Sequence, residues 1–339
     1  MRIGVIGLQH FHAHEIIEGL NVLPGVELVA IAEPDDDIWH EQGIVYELPR
    51  YVDYLEMLDS EELRAVVLVN ARQQRAQVAA ECLHRGISVL ADKPLCMHLS
   101  DITKLRQATR RADAALFLYL TERYNPSVHT LLSLVEQGVL GKVASFTSFR
   151  PHKLLKDSRP SWFWNRGTNG GILVDLAIHD IDIFRKITNA KIQEIWAIQA
   201  NVSTKEHPDF EDIGHMMLKA ANGVVGMFRA DWLTPAGEDI HGDCRYFVIG
   251  DKGWAEVHTS GGVADNLAGS VRIVTNTSGP IYVPLMVPKT TIFEDFVAAV
   301  QGAKPAISAD DILRASELVL LGRQSADWGV PVQGGNDHD

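Results

Sequence analysis

Asp175 and His179 are spaced i, i+4 within the stretch 170–182, Gly-Gly-Ile-Leu-Val-Asp-Leu-Ala-Ile-His-Asp-Ile-Asp. On a helix that spacing stacks the two side chains on one face. A carboxylate one turn from an imidazole fixes its tautomer and stabilises its protonated form, which makes an acid/base pair. Asp182 continues the stripe. Leu173, Leu176, Ala177, Ile181 and Phe184 supply apolar positions that bury the other faces, and Gly170-Gly171 opens the helix. An isolated D-x-x-x-H is more often a solvated surface pair. What favours chemistry is a second group, Lys93, in Asp92-Lys93-Pro94 directly after the apolar run 87–91. Pro94 restricts the residue before it and holds Lys93 out of helical geometry. An ammonium so placed can stabilise negative charge developing on an oxygen.

The elements that must carry these groups alternate. Strand-like runs at 2–7, 26–32, 65–69, 87–91 and 114–118 are interleaved with helical patterns at 11–20, 73–85 and 101–111. That order implies parallel βαβ units and a doubly wound α/β sheet. Ligands of such sheets sit outside the carboxyl ends of the strands, where Lys93 would be delivered. The first strand–helix turn is where this fold grips a pyrophosphate, with the pattern G-x-G-x-x-G/A. Here it reads Gly7-Leu8-Gln9-His10-Phe11-His12: Gly7 is kept, and Gln9 and His12 replace the other two glycines. Glu33 ends the second strand, placed to take ribose hydroxyls. Asp35, Asp36 and Asp37 follow it and would repel a 2′-phosphate, so NAD is expected over NADP. His10, His12 and His14 invite a metal reading, but no carboxylate or Cys completes a set locally and no metal is expected. A histidine donor facing a phosphate at the helix N-terminus fits better.

After residue 120 the pattern changes. A helix runs from Asn125-Pro126 to 137, and strand-like runs follow at 143–150, 192–202, 214–220, 224–230, 244–250, 253–257, 271–275 and 281–283. Short polar or glycine turns join them, as in a largely antiparallel sheet with helices on one face, an α+β domain. Helices at 292–301 and 310–327 close the chain. The aromatic segment Trp162-Phe163-Trp164 either packs a core or walls a substrate pocket. The expected organisation is a Rossmann dinucleotide-binding domain at 1–120, a substrate-binding and oligomerisation domain at 121–332, and a frayed tail at 333–339.

Composition narrows the function. The 339 residues are 46% apolar and 22% charged, ordinary for two globular domains. The net charge is −13, and no Lys/Arg-rich run stands out, so neither nucleic acid nor an anionic membrane is an expected partner. No apolar run approaches the ~18 residues of a membrane span, and the N-terminus does not read as a signal peptide. Three scattered cysteines, Cys82, Cys96 and Cys244, read as reduced thiols of a cytoplasmic protein.

Taken together, the chain resembles the glucose–fructose oxidoreductase / inositol dehydrogenase / rhizopine catabolism family, Gfo/Idh/MocA, nearly end to end. Asp92-Lys93-Pro94 looks like its E-K-P motif with Asp for Glu, and 170–182 keeps its G-G-x-x-x-D-x-x-x-H-x-x-D motif. Arg123-Tyr124-Asn125-Pro126 resembles its linking segment. The resemblance implies a Rossmann domain, a C-terminal α/β domain with a large, mostly antiparallel open sheet, NAD(P), sugar- or cyclitol-like substrates, and dimers or tetramers built through that sheet. The cofactor would meet Gly7, Gln9, His10, Phe11, His12, Glu33, Asn70, Asp92, Lys93 and Pro94. Where relatives carry an N-H-x-H-like sequence this chain has Arg72-Gln73-Gln74-Arg75, so either Arg72 and Arg75 are phosphate contacts or the cofactor is held unusually weakly. Glu122 stands where some polyol-oxidising relatives have a basic substrate contact. It joins Lys93, Trp162, Trp164, Asp175 and His179 as a substrate-binding candidate.

The chemistry expected is reversible oxidation of a secondary alcohol of a sugar, polyol or cyclitol, with Lys93, Asp175 and His179 catalytic. His179 is the base, Lys93 stabilises the alkoxide and Asp175 tunes the imidazole. Two other classes fit the fold: a non-catalytic dinucleotide-binding regulator, which the altered glycine loop favours, and a glycosidase that recycles tightly held NAD.

Overall fold

The structure, a computed structural model, describes residues 1–111, 113–260 and 269–335. The chain packs as two compact units, Met1–Leu120 with Thr290–Ser316, and Thr121–Lys289 with Glu317–Asp339.

In the first unit, β1 (Arg2–Ile6), β2 (Glu27–Ala32), β3 (Arg50–Tyr51), β4 (Ala65–Leu68), β5 (Ser88–Ala91) and β6 (Leu116–Leu118) form a sheet of order β3-β2-β1-β4-β5-β6. Every pairing is parallel. The strands read as unbroken apolar runs because helices cover both faces: Ile3, Val5, Val66, Val67, Val89 and Leu90 are fully buried. This is the doubly wound sheet expected from the alternation. The two-residue β3 and the helix Tyr54–Ser60 were not signalled.

Residues 290–316 belong to this unit, although the order of elements suggested one continuous second domain from 121 to 332. The aromatics of the helix Ile292–Val300 account for it. Phe296 packs against Phe117 at 5.4 Å, and Phe293 stacks on Tyr119 at 6.0 Å. Gly19 leaves room for Phe293, since a Cβ there would lie 2.1 Å from the ring. Thr291 and Glu294 cap this helix reciprocally.

In the second unit nine strands form one sheet. They are β7 (Val143–Pro151), β8 (Ile192–Ala200), β9 (Ile213–Ala220), β10 (Val225–Asp231), β11 (Arg245–Gly250), β12 (Gly253–His258), β13 (Ser270–Thr275), β14 (Ser278–Tyr282) and β15 (Val332–Gln333). The order is β14-β13-β12-β11-β7-β10-β9-β8-β15, and only β7 with β10 is parallel. One face is buried under helices. The other leaves apolar side chains half exposed, with Trp196, Met217 and Met227 in register across β8, β9 and β10.

Val332–Gln333 pairs with β8, and the Gly334 amide donates to Gln193 O, so the chain stays ordered past the point where fraying was expected; 336–339 lie outside the described residues. No described helix is long and apolar enough to cross a membrane.

Candidate active site

The first unit gathers its functional residues at the carboxyl ends of β1, β2, β4 and β5. Gly7 has φ +82°, and a Cβ there would fall 2.3 Å from the Asn70 backbone, so only glycine fits. The loop after it is pinned from both sides. The Gly7 amide donates to Ala32 O, the Gln9 amide to Val69 O and the Leu8 amide to Glu33 Oε2 at 2.8 Å. Glu33 is fully buried, and its other oxygen accepts from the Asp35 amide at 2.9 Å. Burial pushes its carboxyl up, against the pull of those two donors. Glu33 therefore shapes the loop, and each oxygen keeps a second lone pair that a hydroxyl could use.

Beside it lies a cleft of about 160 Å³ lined by Gly7, Gln9, Glu33, Pro34, Asp53, Asn70 and Gln74, among others. The Asn70 amide group is buried, and neither its nitrogen nor its oxygen has a hydrogen-bond partner. Two orphaned polar atoms lining a cleft suit a polar ligand, and they fit a dinucleotide at this loop. Asp53 escaped the sequence reading because the helix that it caps was not signalled; Gln74, on the helix Arg72–His84, was read only as part of the quartet 72–75.

His10, Phe11 and His12 behave differently from one another. Phe11 is 55% exposed. His10 is buried, and burial holds its imidazole well below the usual range; His12, Arg72 and Lys93 add to this against the pull of Asp92. Its Nδ1 accepts from the His12 amide. His12 begins the helix His12–Asn21 and places Nδ1 2.7 Å from Asp92 Oδ1. Asp92 is fully buried. Burial alone would raise its carboxyl, but His12, His10 and Arg75 outweigh that and hold it well below the usual carboxylate range. The carboxylate missing from the local histidine pattern is thus supplied by the end of β5: ligand-type atoms of His10, His12 and Asp92 lie within 4.8 Å of one another. A direct bond of 2.7 Å leaves no room for an ion between His12 and Asp92. The cationic Arg72, Arg75 and Lys93 also disfavour a dication, so the cluster reads as a hydrogen-bonded dyad.

Arg75 does not present itself to a phosphate as expected. It is 1% exposed, and its guanidinium donates to Asp92 O, Pro94 O and Asn70 O at 2.8–3.0 Å. Arg72 is likewise buried at the start of the helix Arg72–His84. The long stem of Arg75 reaches into the interior, where backbone carbonyls of the loops need donors. Lys93, mostly buried, precedes a cis proline.

In the second unit the expected single helix at 170–182 is two, Ile172–Leu176 and Ile178–Thr188, divided at Ala177. Gly170 and Gly171 both have positive φ, as an entry through glycines requires. Asp175 and His179 are both buried, one turn apart across the division. The segment after His179 is tied down by charge. Asp182 takes a two-point bond from Arg123 at 2.6 and 2.7 Å. Asp180 accepts from Arg150 Nε at 2.8 Å and from the Tyr246 hydroxyl at 2.9 Å. Arg150 also holds Glu122 at 2.9 Å, so this substrate-binding candidate is already half engaged, while Glu122 Oε2 has no hydrogen-bond partner. Sequence reading named neither Arg150 nor Tyr246, since each lies on a distant strand. In the aromatic segment Phe163 is buried, and half-buried Trp164 stacks on His207 at 3.9 Å, with Trp162 half-buried beside them.

A six-stranded parallel sheet with Gly7 at its first strand–helix turn defines a dinucleotide-binding fold of the Rossmann type. Residues 1–120 match the model of the oxidoreductase family with an NAD-binding Rossmann fold, and residues 128–256 match the GFO/IDH/MocA C-terminal domain. The chain belongs to the Gfo/Idh/MocA family. It is 26% identical over 331 residues to a myo-inositol 2-dehydrogenase of Thermotoga maritima, covering 92% of each chain. It is 23% identical to the scyllo-inositol 2-dehydrogenase (NAD(+)) of Bacillus subtilis, over 75% of this chain and 72% of that one. A solved putative oxidoreductase from Thermotoga maritima superposes with a TM-score of 0.88 at 26% identity, covering 98% of this chain and all of that one.

Proposed function

We propose that the protein is a dehydrogenase of polyols or cyclitols that oxidises a secondary alcohol to a ketone with NAD. The carrying observation is a buried carboxylate, Asp175, one turn from a buried imidazole, His179, on a segment anchored by Arg123 and Arg150. The similarity to inositol 2-dehydrogenases across nearly the whole chain supports the substrate class.

In this reading His179 takes the hydroxyl proton as the C–H bond gives up its hydride and the C–O bond becomes a carbonyl. Lys93 donates a hydrogen bond to the same oxygen and stabilises its developing charge. Asp175, one turn from His179, would fix the tautomer of the imidazole. Gly7, Gln9 and Asn70 would hold the dinucleotide, which when bound supplies the hydride acceptor. The cleft lining has Glu33 and Asp53 and no Lys or Arg, which supports NAD over NADP. The half-exposed apolar face of the nine-stranded sheet supports a homodimer or homotetramer.

The test is a panel of inositols, sugars and acyclic polyols followed at 340 nm with NAD and NADP separately. NADH formation on a cyclitol or polyol is expected. NADH binding without turnover on any member would favour a non-catalytic regulator instead.

A further inference from the structure

Two of the places where this chain departs from its family's motifs meet in space. His12 replaces the last glycine of the pyrophosphate loop, Asp92 replaces the glutamate of E-K-P, and their side chains join at 2.7 Å. Asp92 is a carboxylate and can only accept, so His12 donates Nδ1–H. Around this bond the turn that carries Lys93 is held at three further points. Arg75 donates to the carbonyls of Asp92 and Pro94, one on each side of Lys93, and its Nη2 lies 3.7 Å from Asp92 Oδ2. The residues flanking Lys93 are therefore gripped from the start of the helix His12–Asn21 and from the helix Arg72–His84.

We propose that His12, Asp92 and Arg75 are positioning residues for Lys93 rather than contacts of the cofactor phosphates. The shorter Asp92 side chain needs a donor that reaches into the turn. The imidazole of His12 supplies it from a position where a glycine could offer none. This compensates for the altered glycine loop: its third position no longer serves close packing of helix on strand but orients the catalytic ammonium. The inference rests on the reading of Lys93 as the alkoxide-stabilising group, but the arrangement itself can be tested without turnover.

The discriminating variants are His12→Ala, His12→Asn and Asp92→Asn. An asparagine amide can occupy the place of Nδ1–H, so His12→Asn keeps the bond to Asp92 without an imidazole. The substrate-free readout is the rate at which acetic anhydride acylates Lys93, followed by peptide mass spectrometry. Lys93 is only 6% exposed. His12→Ala and Asp92→Asn should raise its acylation several-fold, and His12→Asn should reverse most of that rise. NADH dissociation constants, from fluorescence titration, should change little in all three. On an oxidised substrate His12→Ala should lower kcat by on the order of 10²-fold, the scale of a misplaced catalytic group, with KM nearly constant and with partial recovery in His12→Asn. Should His12→Ala fail to fold, the near-isosteric Asp92→Asn supplies the same readouts. Unchanged Lys93 acylation, or an equal weakening of NADH by His12→Ala and His12→Asn, overturns the proposal and returns His12 to the phosphates. Lys93→Met run in parallel tests the catalytic reading separately: full turnover there removes the role of Lys93, while the acylation rates still decide whether the dyad holds the turn.

Discussion

Arg123 and Asp182 form a buried two-point ion pair, with Nε–Oδ2 at 2.7 Å and Nη2–Oδ1 at 2.6 Å. It ties the helix that carries His179 to the 3₁₀ turn Thr121–Tyr124. Breaking such a pair leaves a charge without its partner in the interior. Arg123→Met should cost about 3–5 kcal/mol in urea unfolding. Arg123→Met with Asp182→Leu should recover most of that, because the double change leaves no orphan charge. A single variant that unfolds at the wild-type urea concentration would show that the pair is dispensable.

How much of this was readable beforehand depended on the range of the interaction. Parallel strands covered on both faces are continuous apolar runs, so β1, β2, β4 and β5 stood out from the sequence. The motif residues Lys93, Asp175 and His179 were legible from types and spacing. The division at Ala177 was not, because a good helix former gives no local sign of a break. The partners of Arg75 were hidden for a reason of the same kind: nothing near it in sequence shows that three carbonyls await its guanidinium. His12 and Asp92 each looked like a loss from a motif. Only their meeting across 80 residues shows that one departure accommodates the other.

Cofactor choice gives the next expectation. The cleft at the end of β2 is lined by Glu33 and Asp53, which would repel a 2′-phosphate. NADH should bind more tightly than NADPH by fluorescence titration. Glu33→Ala should weaken NADH, chiefly by freeing the Leu8 and Asp35 amides that now donate to it. Equal affinities for the two nucleotides in the wild type would sink the NAD assignment.

Acid sensitivity should centre on Asp92. Its carboxyl is held well below its unfolded value, so its contribution to stability is fully present above the unfolded pKa of about 3.9 and is lost as pH falls toward the folded one. Chemical unfolding measured from pH 6 downward should show the wild type losing stability below about pH 4. Asp92→Asn should start less stable and decline less steeply. Parallel curves for the two proteins would mean that Asp92 titrates alike folded and unfolded.

The open sheet face should bury itself against another copy. Trp196, Met217 and Met227 line up across three strands and are each about 40–50% exposed, a contiguous apolar row that a solitary soluble chain rarely leaves uncovered. Light scattering at micromolar concentration should give a multiple of 37.5 kDa. Met227→Asp should shift the population toward the single chain. A wild-type protein that scatters as one chain would count against the assignment of this face.

The catalytic prediction is that Lys93, Asp175 and His179 act as one unit with unequal, non-additive losses. His179→Ala removes the base and should lower turnover by roughly 10²–10⁴, the usual scale for acid–base catalysis. Lys93→Met keeps bulk, removes charge, and should lower turnover while NADH binding stays nearly intact. Asp175→Asn preserves shape but changes the charge balance on His179. Removing the anion that favours imidazolium makes His179 easier to deprotonate, so the acidic limb of the pH–rate profile should move to lower pH. Lys93→Met/His179→Ala should lose much less than the product of the single losses, because both groups act on the same oxygen and its proton. Simple multiplication of the two losses would indicate that they serve separate steps. Near-normal turnover in His179→Ala, on an alcohol that the wild type plainly oxidises, would remove the base from the mechanism and leave 170–182 a packing element.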